Sequence, residues 1–197
     1  MIFILEHSIL EHFLTVVKNF PSHSGFRFAW EKISKIVAML VAKDFELQES
    51  FDEAGNFLGY SLVDKYSVVS VFPYGIRLTQ SFLNLLPNSS VGYLGYSKKN
   101  GIFEESLCLL PEEIANSKVL ICDAIIKTGE TINQAISRLQ LENVLDIKVV
   151  SIFSTTNGIE NIRAEFPDIP IYVCSINSLE EIENLSFLEN LLHYYNL

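Results

Sequence analysis

The chain has 197 residues, of which 49% are hydrophobic and 19% charged, so it can bury the core of one full domain and is too apolar to be disordered. Its formal net charge of −10, from 14 Lys and Arg against 24 Asp and Glu, argues against a nucleic acid partner, because phosphate-dominated binding needs a basic face. No window approaches the roughly 18 apolar residues of a membrane span, and the first residues lack the basic region of a secretory signal. We therefore expect a cytoplasmic protein that does not contact membranes.

Residues 1–66 predict a helical segment followed by a small β-hairpin. Apolar residues recur at helical spacing over residues 9–20 and 26–45. Two strand-like pieces follow at residues 46–51 and 56–63, separated by a plausible hairpin turn. This segment is expected to pack on the rest of the domain or against a second subunit. Its helices are expected to expose apolar side chains at Phe13, Phe20, Phe28 and Trp30.

Residues 67–176 alternate between strand-like and helix-like patterns, which is typical of a doubly wound α/β sheet. The predicted strands are residues 67–72, 91–96, 118–123, 147–153 and 171–176. These five apolar runs predict a mostly parallel five-stranded sheet in a single domain, closed by a C-terminal helix over residues 177–197. In such sheets, ligands bind beyond the carboxyl ends of the strands.

The run V-L-I-C-D-A-I-I-K-T-G-E-T at residues 119–131 is the motif that points to chemistry. A buried strand brings Asp123 to the edge of the sheet, a tight loop follows, and a helix begins near Thr131. Free N–H groups at a helix N-terminus favour an anion, and Gly129 lets the backbone approach a phosphate closely. The hydroxyls of Thr128 and Thr131 can donate to phosphate oxygens, and Asp123 can accept from ribose hydroxyls. The motif therefore predicts a ribose 5-phosphate site.

The predicted phosphate-binding residues are Lys127, Thr128, Gly129, Glu130 and Thr131. From these residues alone, an ordinary strand-to-helix loop capped by Thr131 is an equally open interpretation.

This run resembles the PRPP-binding motif of type I phosphoribosyltransferases, and the rest of the chain resembles the uracil phosphoribosyltransferases. The short segments that carry the resemblance follow the order of the family, at residues 7–12, 85–95, 110–114, 157–160 and 166–168. The resemblance implies the reaction of uracil with PRPP to give UMP and pyrophosphate, with Mg²⁺ accompanying PRPP. It also implies a small phosphoribosyl or nucleotide ligand and a homodimer.

The chain departs from the family pattern around the pyrophosphate. Pro73 stands where the family has an arginine, in the stretch that ends at Gly75, and proline offers neither charge nor a backbone donor. Arg77 and Lys98 are the candidate replacements, and the alternative for each is a solvated surface cation. The tentative pyrophosphate-binding residues are thus Gly75, Arg77 and Lys98.

The C-terminal segment also departs from the family, because residues 175–197 contain no Gly, Pro or Asp, whereas the family reads uracil with a Gly-rich tail. These departures predict weak or lost transferase activity, that is, a possible pseudoenzyme. The alternative is a non-catalytic nucleotide- or PRPP-binding protein that acts through a partner.

Overall fold

The computed structural model describes residues 1–19, 23–99 and 102–183. The helices are α1 (Ser8–Asn19), α2 (His23–Ala42), α3 (Ile76–Leu85), α4 (Glu130–Leu141), α5 (Thr156–Glu165) and α6 (Leu179–Glu183). The strands are β1 (Ile2–Ile4), β2 (Leu47–Phe51), β3 (Phe57–Leu62), β4 (Tyr66–Val71), β5 (Ser90–Lys99), β6 (Ile102–Leu109), β7 (Lys118–Ile126), β8 (Ile147–Thr155) and β9 (Ile171–Asn177).

The central sheet has the order β1-β9-β8-β7-β4-β5-β6, and each neighbouring pair is parallel except β5 and β6. Strands β2 and β3 form a separate antiparallel hairpin. The predicted α/β class with a mostly parallel sheet and a small hairpin is confirmed. The sheet has seven strands instead of five, because β1 joins one edge beside β9 and β6 folds back on β5 at the other.

Two apolar clusters cover the two faces of the sheet. One contains buried side chains of α1, α2 and α3, and the other contains those of α4 and α5. The strands are apolar on both faces because both are covered by helices.

The apolar face that the sequence predicts on the N-terminal helices is only partly exposed. Trp30 is 1% exposed and stacks between Phe26 and Phe153, with ring centroids 5.4 and 6.4 Å away. The expectation that Trp30 lies on an exposed face is therefore wrong. Phe28 is 56% exposed. The rings of Phe13 and Phe28 are in an edge-to-face contact, with their centroids 6.0 Å apart. Phe20 lies outside the described residues.

The C-terminal helix predicted over residues 177–197 is described only in its first part. Helix α6 covers Leu179–Glu183, and residues 184–197 lie outside the described part. Within the described ranges, no helix combines the length and the apolar character needed to cross a membrane.

The order of the strands places two diverging connections at one edge of the sheet. The chain leaves β4 towards β5 on one side and leaves β7 towards β8 on the other, although β4 and β7 are neighbours in the sheet. The connections therefore diverge at the carboxyl ends of β4 and β7 and leave a crevice there, which is where doubly wound sheets bind their ligands.

Candidate functional site

A cavity of about 370 Å³ occupies this crevice. Its walls come from the ends of β4, β5 and β7 and from the first turn of α4. The polar side chains among its lining residues are Tyr74, Tyr96, Asp123, Lys127, Thr128 and Thr131. The structure thus brings most of the predicted phosphate and ribose residues to one cavity.

The predicted phosphate loop, residues 127–131, leads from β7 into the first turn of α4. Gly129 is the N-cap in a left-handed conformation, with φ of 76°, and no side chain caps the helix. The first hydrogen bond of the turn runs from the N–H of Asn133 to the carbonyl of Gly129 at 2.9 Å, so the N–H groups of the three preceding residues lie ahead of the helical ladder. The expected cap at Thr131 is wrong, because Gly129 is the N-cap and Thr131 lies inside the helix.

A pair of glycines lets this loop pack against the start of α5. A Cβ on Gly129 would lie 2.5 Å from the carbonyl oxygen of Gly158, and a Cβ on Gly158 would lie 2.7 Å from the carbonyl oxygen of Lys127. The sequence predicts that Gly129 lets the backbone approach a phosphate closely. The structure gives it a second role, since its missing side chain makes room for α5.

Asp123 lies within β7, which continues three residues further than predicted, and its side chain is 6% exposed. Burial raises the pKa of Asp123 from 3.8 to about 7, although the backbone N–H groups of Ile125 and Ala124 oppose the shift. The pKa of Tyr74 is also raised, mainly by its own burial and further by the negative charge of Asp123. Because both side chains line the same cavity, a polar ligand there meets an acid that titrates near neutral pH.

Lys98 lies across from the phosphate loop and is bound to Glu130. Its ammonium is 3.2 Å from each carboxylate oxygen of Glu130, and the Thr128 hydroxyl donates to the same carboxylate at 3.1 Å. Both charged side chains are about half exposed, at 47% and 46%, so water screens the pair and its energy is small. Glu130 thus occupies a donor on both Lys98 and Thr128 in the structure.

The structure keeps Gly75 and Arg77 apart from the cavity surface. Gly75 is buried, and a Cβ there would lie 2.0 Å from the carbonyl oxygen of Cys122, so the absence of a side chain lets the turn after β4 cross β7. Arg77 is on the first turn of α3, on the side of α2, where it adds to the lowering of the Glu31 pKa that Lys35 mainly causes. Among the described residues, Pro73 and Tyr74 line the cavity on this side, whereas Gly75 and Arg77 do not. Their role at a pyrophosphate stays a prediction.

Three residues around the loop at residues 127–131 are not predicted from the sequence, namely Tyr74, Thr155 and Asn161. Tyr74 lines the cavity. Thr155 donates to the carbonyl of Lys127, and Asn161 donates to the carbonyl of Thr128 at 2.9 Å. No local pattern could have revealed these contacts, because they join residues 28 and 33 positions apart.

Comparison with solved structures defines the class of protein. The adenine phosphoribosyltransferase of Trypanosoma brucei has a TM-score of 0.63 over 89% of this chain and 83% of its own, at 13% identity. The AQ2163 protein of Aquifex aeolicus has a TM-score of 0.78 over 90% of this chain and 88% of its own, at 22% identity. The fold is therefore that of the phosphoribosyltransferases.

Sequence comparison defines the family. The sequence profile described as uracil phosphoribosyltransferase matches residues 4–185. The uracil phosphoribosyltransferase of Finegoldia magna is 27% identical over 180 residues, which cover 88% of this chain and 86% of that protein. The chain belongs to the uracil phosphoribosyltransferase family.

Proposed function

We propose that this protein binds the 5′-phosphate of PRPP and of UMP at residues 127–131 and transfers the phosphoribosyl group to uracil slowly. The observation that carries the proposal is the free N-terminal turn of α4, which opens on the same cavity as the buried carboxyl of Asp123. Exposed N–H groups at a helix N-terminus suit a phosphate dianion, and a neighbouring carboxylate suits the ribose hydroxyls. Membership of the family supports uracil as the acceptor.

The transfer breaks the bond between the ribose C1′ and the pyrophosphate oxygen and forms a bond from C1′ to N1 of uracil. The proton of N1 passes to water or to the leaving pyrophosphate. Negative charge builds on the leaving pyrophosphate, so the rate depends on cations that stabilise it. Pro73 supplies no charge at the cavity wall, and Lys98 is paired with Glu130. Lys127 also lines the cavity, but this proposal assigns it to the 5′-phosphate. This shortage of positive charge supports ligand binding with little catalysis, because only interactions that strengthen in the transition state raise the rate.

Any Mg²⁺ enters as the chelate of PRPP. In the described part of the chain, no group of three or more His, Cys, Asp and Glu side chains is arranged to hold a metal ion. The phosphate and hydroxyl oxygens of PRPP are themselves hard ligands of the kind that Mg²⁺ prefers. In this proposal the metal would neutralise part of the pyrophosphate charge that the protein leaves uncompensated.

An assay with radiolabelled uracil, PRPP and Mg²⁺ tests the rate. We expect UMP formation well below about one turnover per second, the lower end of the ordinary enzyme range. Turnover at or above about one per second would contradict the proposed shortage of charge and would assign the pyrophosphate to Arg77 or Lys98. UMP binding without any turnover would favour the non-catalytic, nucleotide-binding alternative, which Pro73 at the cavity wall also supports.

We also infer a homodimer, as the family resemblance implies. Exposed apolar side chains on the N-terminal helices support it, namely Ile9 on α1 and Phe28 and Met39 on α2, each at least half exposed. Burial of such side chains is favourable on association. Light scattering at micromolar concentration should give twice the chain mass of 22.3 kDa, and the monomer mass would contradict the inference.

A further inference from the structure

Two consecutive carbonyl groups of the phosphate loop are held from the side of β8 and α5. The hydroxyl of Thr155 donates to the carbonyl of Lys127 and accepts from the N–H of Gly158 at 2.8 Å. The side-chain amide of Asn161 donates to the next carbonyl, that of Thr128, at 2.9 Å. The loop is therefore tied to the first turns of α5 through its backbone, in addition to the glycine contact described above.

These two bonds fix the direction of the backbone N–H groups. In a planar trans peptide, the carbonyl of one residue and the N–H of the next point in opposite directions. Because the carbonyls of Lys127 and Thr128 face β8 and α5, the N–H groups of Thr128 and Gly129 face away from them. Both residues line the cavity, so N–H groups that point away from β8 and α5 can extend the donor set that begins at α4.

We propose that Thr155 and Asn161 are positioning residues, which keep these two peptide groups oriented so that N–H groups, and not carbonyl oxygens, face the phosphate. The inference rests on the proposed phosphate site. If either peptide rotated, a carbonyl oxygen would replace a donor and would repel the anion. We expect Thr155 to matter more than Asn161 for this orientation, because it is more buried. Thr155 is 4% exposed, whereas Asn161 is exposed to water, which can replace its amide.

The Thr155 hydroxyl also caps α5, so the variants must distinguish this capping role from the positioning role. Loss of the cap alone would lower the melting temperature and leave the phosphate affinity of the folded protein unchanged. Thr155→Val removes the hydroxyl at nearly constant shape, and Thr155→Ser keeps it. Asn161→Ala removes one peptide contact without touching the cap, and Gln140→Ala removes an exposed amide at the far end of α4 as a matched control.

Calorimetric titration with ribose 5-phosphate, together with melting curves of each variant, tests the proposal. We expect Thr155→Val to bind roughly tenfold more weakly and Asn161→Ala about threefold more weakly, as the loss of one buried or one exposed hydrogen bond would give. Thr155→Ser and Gln140→Ala should bind like the wild type. If Thr155→Val fails to fold, the difference between Asn161→Ala and Gln140→Ala still decides the matter.

Two outcomes would overturn the inference, and they are distinguishable. If the wild type binds ribose 5-phosphate, and Thr155→Val and Asn161→Ala bind it with the same affinity, the positioning role alone is overturned. This holds even if Thr155→Val melts at a lower temperature. Wild-type protein that is folded and does not bind ribose 5-phosphate would overturn the proposed phosphate site and the positioning role with it.

Discussion

Replacing Gly129 by alanine is expected to destabilise the protein by roughly 2–4 kcal/mol and to abolish phosphate binding. The residue has a φ of 76°, which L side chains rarely adopt, and its new Cβ would lie 2.5 Å from the carbonyl oxygen of Gly158. That oxygen belongs to backbone, so relief requires movement of the loop or of α5. Either movement displaces the N–H groups of the cradle.

Gly55→Ala provides the matched control for this substitution. Gly55 has a similar φ of 84°, and a Cβ there would meet nothing within 4 Å. Its replacement should cost only the conformational strain, about 1 kcal/mol, and should leave phosphate binding intact. Urea unfolding of both variants measures the difference. Equal losses of unfolding free energy in the two variants would show that the contact with Gly158 is unimportant.

Asp123→Asn is expected to make the protein more stable than the wild type at neutral pH, with the difference growing as the pH rises from about 4 to 7. The pKa of Asp123 is about 7 in the folded protein and near 3.8 in the unfolded chain. Over this window the folded state binds more protons than the unfolded state, so the wild type loses stability as the pH rises. Asparagine carries no charge and avoids this loss, which amounts to a few kcal/mol at roughly 1.4 kcal/mol per pKa unit.

Asp52→Asn should change stability in the opposite direction. The pKa of Asp52 is lowered, chiefly by the side-chain and backbone hydrogen bonds from Asn56, so its carboxylate stabilises the hairpin turn at neutral pH and loses this effect as the pH falls. Urea unfolding of Asp123→Asn, Asp52→Asn and the wild type at several pH values measures both effects. A stability difference between Asp123→Asn and the wild type that does not change between about pH 4 and 8 would contradict the burial argument.

The carboxyl of Asp123 should also make ligand binding depend on pH. A ribose hydroxyl donates more strongly to ionised Asp123, so ribose 5-phosphate should gain affinity relative to inorganic phosphate as the pH rises through about 7. Inorganic phosphate is the appropriate reference because it lacks the ribose. In Asp123→Asn the preference for ribose 5-phosphate should be smaller and should change less with pH than in the wild type.

The strand, the loop and the helix of the candidate site could be predicted because they are contiguous. The strand that carries Asp123, the glycine at position 129 and the helix that follows form one local pattern. The crevice itself depends on the order of the strands in the sheet, which that pattern does not contain. Parallel strands covered on both faces are long apolar runs, so most of the sheet could also be predicted.

The features that could not be predicted depend on contacts between distant residues. Strand β1 has three residues, too few to form a pattern, and it pairs with Ile171–Val173 at the other end of the chain. The burial of Trp30 depends on Phe153, and the raised pKa of Asp123 depends on its burial, and a linear pattern reveals neither. The bond from Thr155 to the loop likewise appears only once β7 and β8 are side by side.

Calorimetric titration of the folded wild-type protein with ribose 5-phosphate tests the central claim most directly, since this ligand contains the phosphate and the ribose without a base or a pyrophosphate. The account predicts saturable binding at one site per chain, with a dissociation constant of about a millimolar or tighter. It also predicts that the binding heat disappears in Gly129→Ala. The absence of binding heat at millimolar ligand, with the fold verified by circular dichroism, would contradict the assignment of residues 127–131 as the phosphate cradle.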